Sequence, residues 1–591
     1  MLETLPEIVR VDLSERSVSR EPVPESWRRR FVGGKGLAAR YLYDELDAGV
    51  DPLGPENAIL LFRGPLTGLL PGENRYVVVT KSPLTGTFLD SYAGGAFPGR
   101  FAGALGDAAG ILVTGQADEP VEIVVADGSV GIESTDLWGA ETDATAEARP
   151  DAAVACIGPA GESQVSYATL ASDGGEHHAG RGGAGAVMGA KRCKAVVVRG
   201  ESPSGLSALR ERYAEQFEAS GTGQWLSAGG TVETVDFTDE VGILPTRGWQ
   251  ESRFEDAVDI GVEAIRELAT EREHPDRDQQ GDFRVETDAG ETVTRGAASL
   301  SLGAGLGIGD AEAVAELGGL CDRLGLDLVS TGSAIAWAIR ASQAGLLDEE
   351  YEFGDVDTAR SLVRAIATRD GDTGDRLADG VAAAVAATGG DEFVPTVKSM
   401  ELPSYDPRGA ESMALAYATS DRGGCHRRAR PVERAVFEEW SVERIVDTVI
   451  TEQNERAVLW SLIVDDFVGD VFEDLGEEWL DVVGLETAGS LATVGERIWT
   501  LTRLFNVREG FDRADDELPA ALQRPVASGP NEGSVVDSGR FERMLDEYYA
   551  ARGWSENGIP TAQTVARLDL TDALDGETPV AGSASGSEES S

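Results

Sequence analysis

Asp310–Ser330, DAEAVAELGGLCDRLGLDLVS, is the stretch whose reading decides how the middle of this chain folds. Asp310 precedes a run of helix formers, so its carboxylate can accept hydrogen bonds from the free first-turn N–H groups of a helix starting at Ala311. Val314, Leu317, Cys321 and Leu324 recur at helical spacing and define one apolar face. Gly325 then supplies the left-handed turn that ends a helix and that other residues resist. Asp322 and Asp327 bracket that stop in the pattern D-x-x-G-L-D. Two carboxylates beside a tight turn can accept hydrogen bonds from an N–H-rich heterocycle or reach a metal. The same letters also describe an ordinary helix end with one capping and one solvated aspartate.

The chain has 591 residues, 41% of them hydrophobic, enough for three or four domains by the usual scaling. Its net charge of −53 is spread along the whole length, and only five residues are lysine (35, 81, 191, 194 and 398). Such a surface repels itself in dilute salt and is a poor partner for nucleic acid or anionic membrane. These features predict a cytoplasmic protein of a salt-loving organism. The melting temperature should therefore fall steeply as salt is lowered from molar to about 0.1 M. A melting temperature independent of salt over that range contradicts this expectation. No apolar stretch is long enough to span a membrane, and MLETLPEIVRVDL lacks the features of an export signal. The four cysteines (156, 193, 321 and 425) never form C-x-x-C, so they read as buried free thiols without a metal-ligand spacing.

Residues 1–204 predict a β-rich domain built from short runs such as Ile8–Leu13, Ile59–Phe62, Tyr76–Thr80, Ile111–Thr114, Val121–Val125, Val154–Ile157 and Ala195–Val198. Glycines cluster at 32–36, 92–106 and 179–194, close to four of the five lysines and to Arg75, Arg100 and Arg181. Gly lets a backbone approach a ligand closely, and cations beside exposed N–H groups favour phosphate. The alternative is tight turns whose cations balance the acidic excess. Gly180, Gly182 and Gly185 match the letters of a dinucleotide fingerprint, but no apolar strand precedes them. Residues 205–400 and 401–574 predict two helical domains. The helices expected in the first of these are Arg210–Ala219, Phe254–Thr270, Ala311–Leu324, Ala334–Leu347, Val356–Thr368 and Arg376–Ala387, and the second begins with Ala410–Ala418. Glu271–Glu291 reads as a polar surface connection, and 575–591 as a disordered acidic tail.

Several segments in this order resemble the aldehyde ferredoxin oxidoreductase family of tungstopterin enzymes. They include VGGKGLAARYLYDEL (32–46), GPLTGLLPGENRYVVVTKSPLTGTFLDSYAGGAF (64–97), CIGPAGE (156–162) and AGRGGAGAVMGAKRCKAVVVRG (179–200). GILPTRGWQ (242–250), CDRLGLDLVSTGSAIAWAI (321–339), LPSYDPRGAESMALAYATSDRGGCHRR (402–428) and LFNVREGF (504–511) continue it. The resemblance implies an α+β protein: an N-terminal β-rich base and two mostly helical domains enclosing a tungsten (or molybdenum) pterin with magnesium. It implies that Lys35, Arg75, the backbone of Tyr92, Ala93, Gly94 and Gly95, and Arg181 with Gly182 surround the pterin phosphates. It implies that Asp322, Gly325, Leu326 and Asp327 hold one pterin ring. It also implies oxidation of aldehydes to carboxylic acids, with electrons passing to ferredoxin or a partner subunit, and a possible homodimer.

This sequence departs from the family pattern in three places. The [4Fe–4S] ligand run C-x-x-C-x-x-x-C is expected near Glu271–Glu286, which has no cysteine. The fourth ligand position reads Asp465, at the end of Trp460-Ser-Leu-Ile-Val-Asp465. The catalytic glutamate position reads Ala297. His426 is the remaining candidate for a catalytic proton carrier. The chain thus reads as a haloarchaeal-type member lacking the iron–sulfur cysteines. The competing reading is a degenerate member acting as a pterin-binding or partner subunit, because a cluster of this kind is normally held by four thiolates and alanine accepts no proton.

Overall fold

The computed structural model describes residues 5–70, 74–274, 281–464, 468–472 and 474–582. Its first two hundred residues form two six-stranded sheets. In spatial order, the first holds Ser17–Pro22, Glu7–Asp12, Ala108–Thr114, Ile59–Phe62, Tyr76–Lys81 and Phe88–Ala93. The second holds His177–Ala179, Leu170–Ser172, Ala153–Cys156, Cys193–Arg199, Val121–Ala126 and Ser129–Ser134. Each sheet contains one parallel pair, Glu7–Asp12 with Ala108–Thr114 and Cys193–Arg199 with Val121–Ala126. All seven short runs picked out in the sequence are strands here.

Period-two alternation explains the layering. Ile59 and Leu61 point into the core shared by the two sheets, with Val78, Ile123, Val125 and Val196. Leu60 and Phe62 point the other way, into a second core with the helix Gly34–Glu45 and the C-terminal helices Val442–Leu462 and Leu491–Arg508. The helical region thus closes over one face of the first sheet. Other helices, among them Ala311–Leu324, Leu328–Gln343 and Ser538–Arg552, gather on a third core around Trp337 and Leu317.

Asp310 caps Ala311–Leu324 as expected, accepting from the N–H groups of Glu312 (3.1 Å) and Ala313 (3.2 Å). Four expectations are corrected. Phe254–Thr270 is not one helix: a turn at Ala257–Asp259 precedes a short helix, Val262–Leu268. The Asp236 carboxylate, from a neighbouring helix, accepts from Val262 N at 2.9 Å and starts that helix afresh. Arg376–Ala387 divides into Gly371–Ala378 and Val381–Thr388, because Gly380 takes a φ of 90° between them. Glu271–Glu291 is no plain connection. Ala269–Arg272, Phe283–Thr287 and Gly290–Thr294 pair as a three-stranded antiparallel sheet, with Phe283, Val285 and Thr287 buried in alternation. Residues 275–280 of that stretch lie outside the described residues. The expected tail begins later than 575, since Asp575 pairs with Arg508 at 2.8 Å and Ala581 donates to the Pro560 carbonyl. Residues 583–591 lie outside the described residues. All four cysteines are buried and free.

Candidate cofactor crevice

The D-x-x-G-L-D turn sits where the helical region meets the β-rich base. Gly325 ends its helix with φ 75° and ψ 38°. Its carbonyl accepts from Thr169 N at 2.9 Å, and Leu326 pairs with Ala168. A Cβ on Gly325 would lie 2.9 Å from Gly158 N, so two glycines let the backbones cross. Gly325→Ala should accordingly cost about 1–3 kcal/mol through the left-handed φ and this contact, read as a fall in thermal stability. An unchanged melting temperature would contradict that packing.

Asp327 opens the next helix, Leu328–Gln343, accepting from Ser330 N at 2.9 Å. Its other oxygen accepts from Arg181 N at 3.1 Å. Asp322 lies on the helix that the turn ends. Its side chain is 20% exposed, and its nearest partner is His178 Nε2 at 3.3 Å. Burial pushes the Asp322 carboxyl up to about 7, against the opposing pull of Arg295 and Arg323. Burial likewise pushes His178 down to about 4, so its ring is neutral at pH 7, bridging Thr169 Oγ1 and the Gly175 carbonyl, each at 2.7 Å. Asp322 can therefore accept or donate a hydrogen bond near neutrality, which suits a heterocycle carrying both N–H and ring-nitrogen edges.

The expected phosphate floor is arranged differently. The amides of Ala96 and Phe97, just past Tyr92–Gly95, donate to the Asp173 carboxylate at 2.8 and 3.3 Å. A side chain on Gly95 would overlap that carboxylate, since its Cβ would lie 1.9 Å from Asp173 Oδ2. The anion at these N–H groups is thus the protein's own. Ala93 is paired to Tyr76 within the sheet, and Gly94 follows it. Arg75 precedes Tyr76 on the strand beside this one. Arg181 holds the backbone carbonyls of Glu401 and Gly424 with its guanidinium, and the Gly182 carbonyl accepts from Ser82 at 2.7 Å.

Lys35 corrects the reading most sharply. It does not line an opening: its side chain is 0% exposed, with Nζ 2.6 Å from Asp421 Oδ2 and 3.1 Å from Asp90 Oδ2. Arg428 pairs with the same two carboxylates, through Asp421 Oδ1 at 2.7 Å and directly with Asp90. Arg422 donates to the Asp90 carbonyl at 2.5 Å and Tyr92 to the Asp90 carboxylate at 2.5 Å. Trp460 closes the group, its ring 5.0 Å from Tyr92, 4.5 Å from the Arg428 guanidinium and 5.6 Å from Lys35 Nζ. A phosphate at Lys35 would have to displace two bonded carboxylates, so these residues do not fit one. Cys425 borders the network. Burial raises its thiol, but Arg422, bonded to its sulfur at 3.1 Å, and Arg428 outweigh that and bring it down to about 7.

His426 is half-buried, its ring 5.7 Å from Tyr405 and edge-on to it. Ala297 lies half-buried in the short helix Gly296–Ala298. Asp465 lies outside the described residues. The donors present thus fit one pterin ring at Asp322 and Asp327. They do not fit a second at Trp460, whose indole fills the space between Tyr92 and Arg428. Reasoning from sequence missed Asp90, Asp173, Asp421, Arg422 and Arg428. Of these, Asp421–Arg428 carried the clearest signal, as a dense charge run directly after the apolar helix Ser412–Ala418.

A base of two β-sheets, a helical cover and a double-aspartate turn between them define the class. The family model for the aldehyde ferredoxin oxidoreductase N-terminal domain matches residues 8–200, and that for its domains 2 and 3 matches 208–570. The chain belongs to this family. It is 34% identical to the tungsten-containing aldehyde ferredoxin oxidoreductase of Thermococcus kodakarensis, over 96% of this chain and 99% of that protein. It is 35% identical to the protein of the same name from Pyrococcus furiosus, over 95% and 98% of the two chains. The active-site complex BamBC of benzoyl coenzyme A reductase shares the fold, with a TM-score of 0.82 over 96% of this chain and 97% of that one at 22% identity. Among the described residues no helix is long and apolar enough to cross a membrane.

Proposed function

We propose that this chain carries a single tungsten pterin at the Asp322–Asp327 turn and serves aldehyde oxidation, with electrons leaving through a partner protein. The observation that carries this reading is Asp322: a carboxyl at the meeting of base and cover, partly exposed beside a neutral His178, with Asp327 fixed five residues on by two amides. When bound, the pterin metal supplies oxo-transfer and two-electron chemistry. Asp322 is suited to grip the ring and to hold a proton near neutrality. Arg181 and Gly182 shape the wall beside Asp327. His426 is the remaining side chain for moving a proton, since Ala297 has none to give or take. Four buried thiols, with Cys156, Cys193 and Cys321 each in a different core, offer no ligand set for an iron–sulfur cluster among the described residues. An electron-transfer partner follows from that, and the relatives' names make ferredoxin the first to try.

The test uses protein purified from its native host in molar salt. One pterin per chain is expected, lost in Asp322→Ala, with no aldehyde-dependent dye reduction by the isolated chain and activity only with the partner present. Dye reduction by the isolated chain overturns the partner requirement. Undiminished pterin in Asp322→Ala overturns the site.

A further inference from the structure

The three-stranded sheet of the helical region meets the β-rich base at a group of donors that the crevice does not use. His177 Nε2 lies 3.1 Å from Glu273 Oε1, and His274 Nε2 lies 3.9 Å from the same oxygen. All three donor atoms fall within 4.8 Å of one another. The two imidazoles are nearly parallel, 7° apart, with centroids separated by 6.1 Å. Glu273 is 3% exposed, His177 5% and His274 19%.

We propose that His177, Glu273 and His274 bind one divalent transition-metal ion of the zinc type, tying the β-rich base to the three-stranded sheet. Two imidazoles and one carboxylate are a common zinc donor set, and they also suit cobalt, nickel and iron(II). With metal–ligand distances of about 2.0–2.2 Å, tetrahedral donors stand about 3.3–3.5 Å apart. The two pairs through Glu273, at 3.1 and 3.9 Å, bracket that spacing, so side-chain adjustment alone can close them around an ion.

The surroundings favour one face of the carboxylate. Glu273 Oε2 accepts from Asp282 N at 3.2 Å, which turns Oε1 toward both histidines. Arg295 also reaches Oε1, at 2.8 Å, but it holds the Glu176 carbonyl at 2.6 Å and Asp282 at 3.2 Å as well. An ion can take Oε1 and leave Arg295 with those partners. The charges point the same way. Glu273, Asp282, Glu176 and Glu291 are four carboxylates facing three guanidiniums, Arg295, Arg284 and Arg272, so the group keeps a net negative charge that favours a cation. The exposed edge of His274 leaves the fourth position to water.

The full chain, stripped with EDTA in molar salt, is titrated with zinc chloride by calorimetry and with cobalt(II) by visible absorption. One ion per chain and the intense bands of tetrahedral cobalt are expected. His177→Ala and His274→Ala should each weaken binding at least about 100-fold, and Glu273→Gln should do so with the side-chain volume kept. If an alanine variant fails to fold, the glutamine variant and the wild-type cobalt spectrum decide. Absence of saturable binding by wild type, octahedral cobalt bands, or unchanged affinity in Glu273→Gln overturns the proposal. Pterin content is measured separately, so failure here leaves the Asp322 reading untouched.

Discussion

Asp421→Ala lowers the stability of the folded chain by about 3–5 kcal/mol at neutral pH. The cause is what the substitution leaves behind. Lys35 Nζ and Arg428 Nε, at 2.6 and 2.7 Å from the Asp421 oxygens, would face the single remaining carboxylate of Asp90 in a region closed to water. Breaking a buried pair strands a charge, whereas an exposed pair such as Arg266–Glu263 is worth only a few tenths of a kcal/mol. Burial alone would raise the Asp421 carboxyl, but Lys35 and Arg428 overcome it and hold it well below the usual carboxylate range. Because the folded pKa is depressed, the stabilisation is fully present above the unfolded value near 4 and is lost as pH falls below it. The variant should therefore lose part of the wild type's acid sensitivity along with its stability. Thermal or denaturant unfolding in molar salt measures both. A loss under about 1 kcal/mol would mean that Lys35 has another partner and is free to meet a ligand.

The second large effect runs in the opposite direction. Asp322 is held near 7 by burial, so between about pH 4 and 7 the native state keeps a proton that the unfolded chain has released. Stability falls as pH rises through that window. An asparagine side chain cannot charge, so Asp322→Asn should raise stability by up to about 4 kcal/mol at pH 8 and change it little at pH 4. The same variant should bind pterin more weakly, which separates stability from function at this position. Parallel pH–stability curves for the two proteins would contradict the burial argument.

What the sequence made legible was local. Asp310 as a cap and Gly325 as a helix stop are short-range hydrogen-bond signatures, and each is found in place. The next helix, expected only from Ala334, starts at Leu328 and is capped by Asp327. The short apolar run Ile59–Phe62 correctly marked a strand, and it is buried on both faces. The failures involve pairs distant in sequence. Lys35 and Asp421 lie 386 residues apart, and no local pattern announces that one will neutralise the other. Asp173 takes the amides of Ala96 and Phe97 from 77 and 76 residues away, so the glycine run read as open to phosphate when it faces a carboxylate. Glu271–Glu291 misled for another reason. Its polar residues form ion pairs within a small sheet, such as Arg284 with Glu291, so charge hid the strand alternation of Phe283, Val285 and Thr287.

We infer that one pterin-binding turn survives here although the described residues offer no ligand set for an iron–sulfur cluster. Metal and iron analysis of natively purified protein, with electron paramagnetic resonance after reduction, tests it most directly. Tungsten and pterin near one per chain, iron well below four per chain and no cluster signal are expected. Iron at about four per chain with a cluster signal in proportion to protein would contradict it.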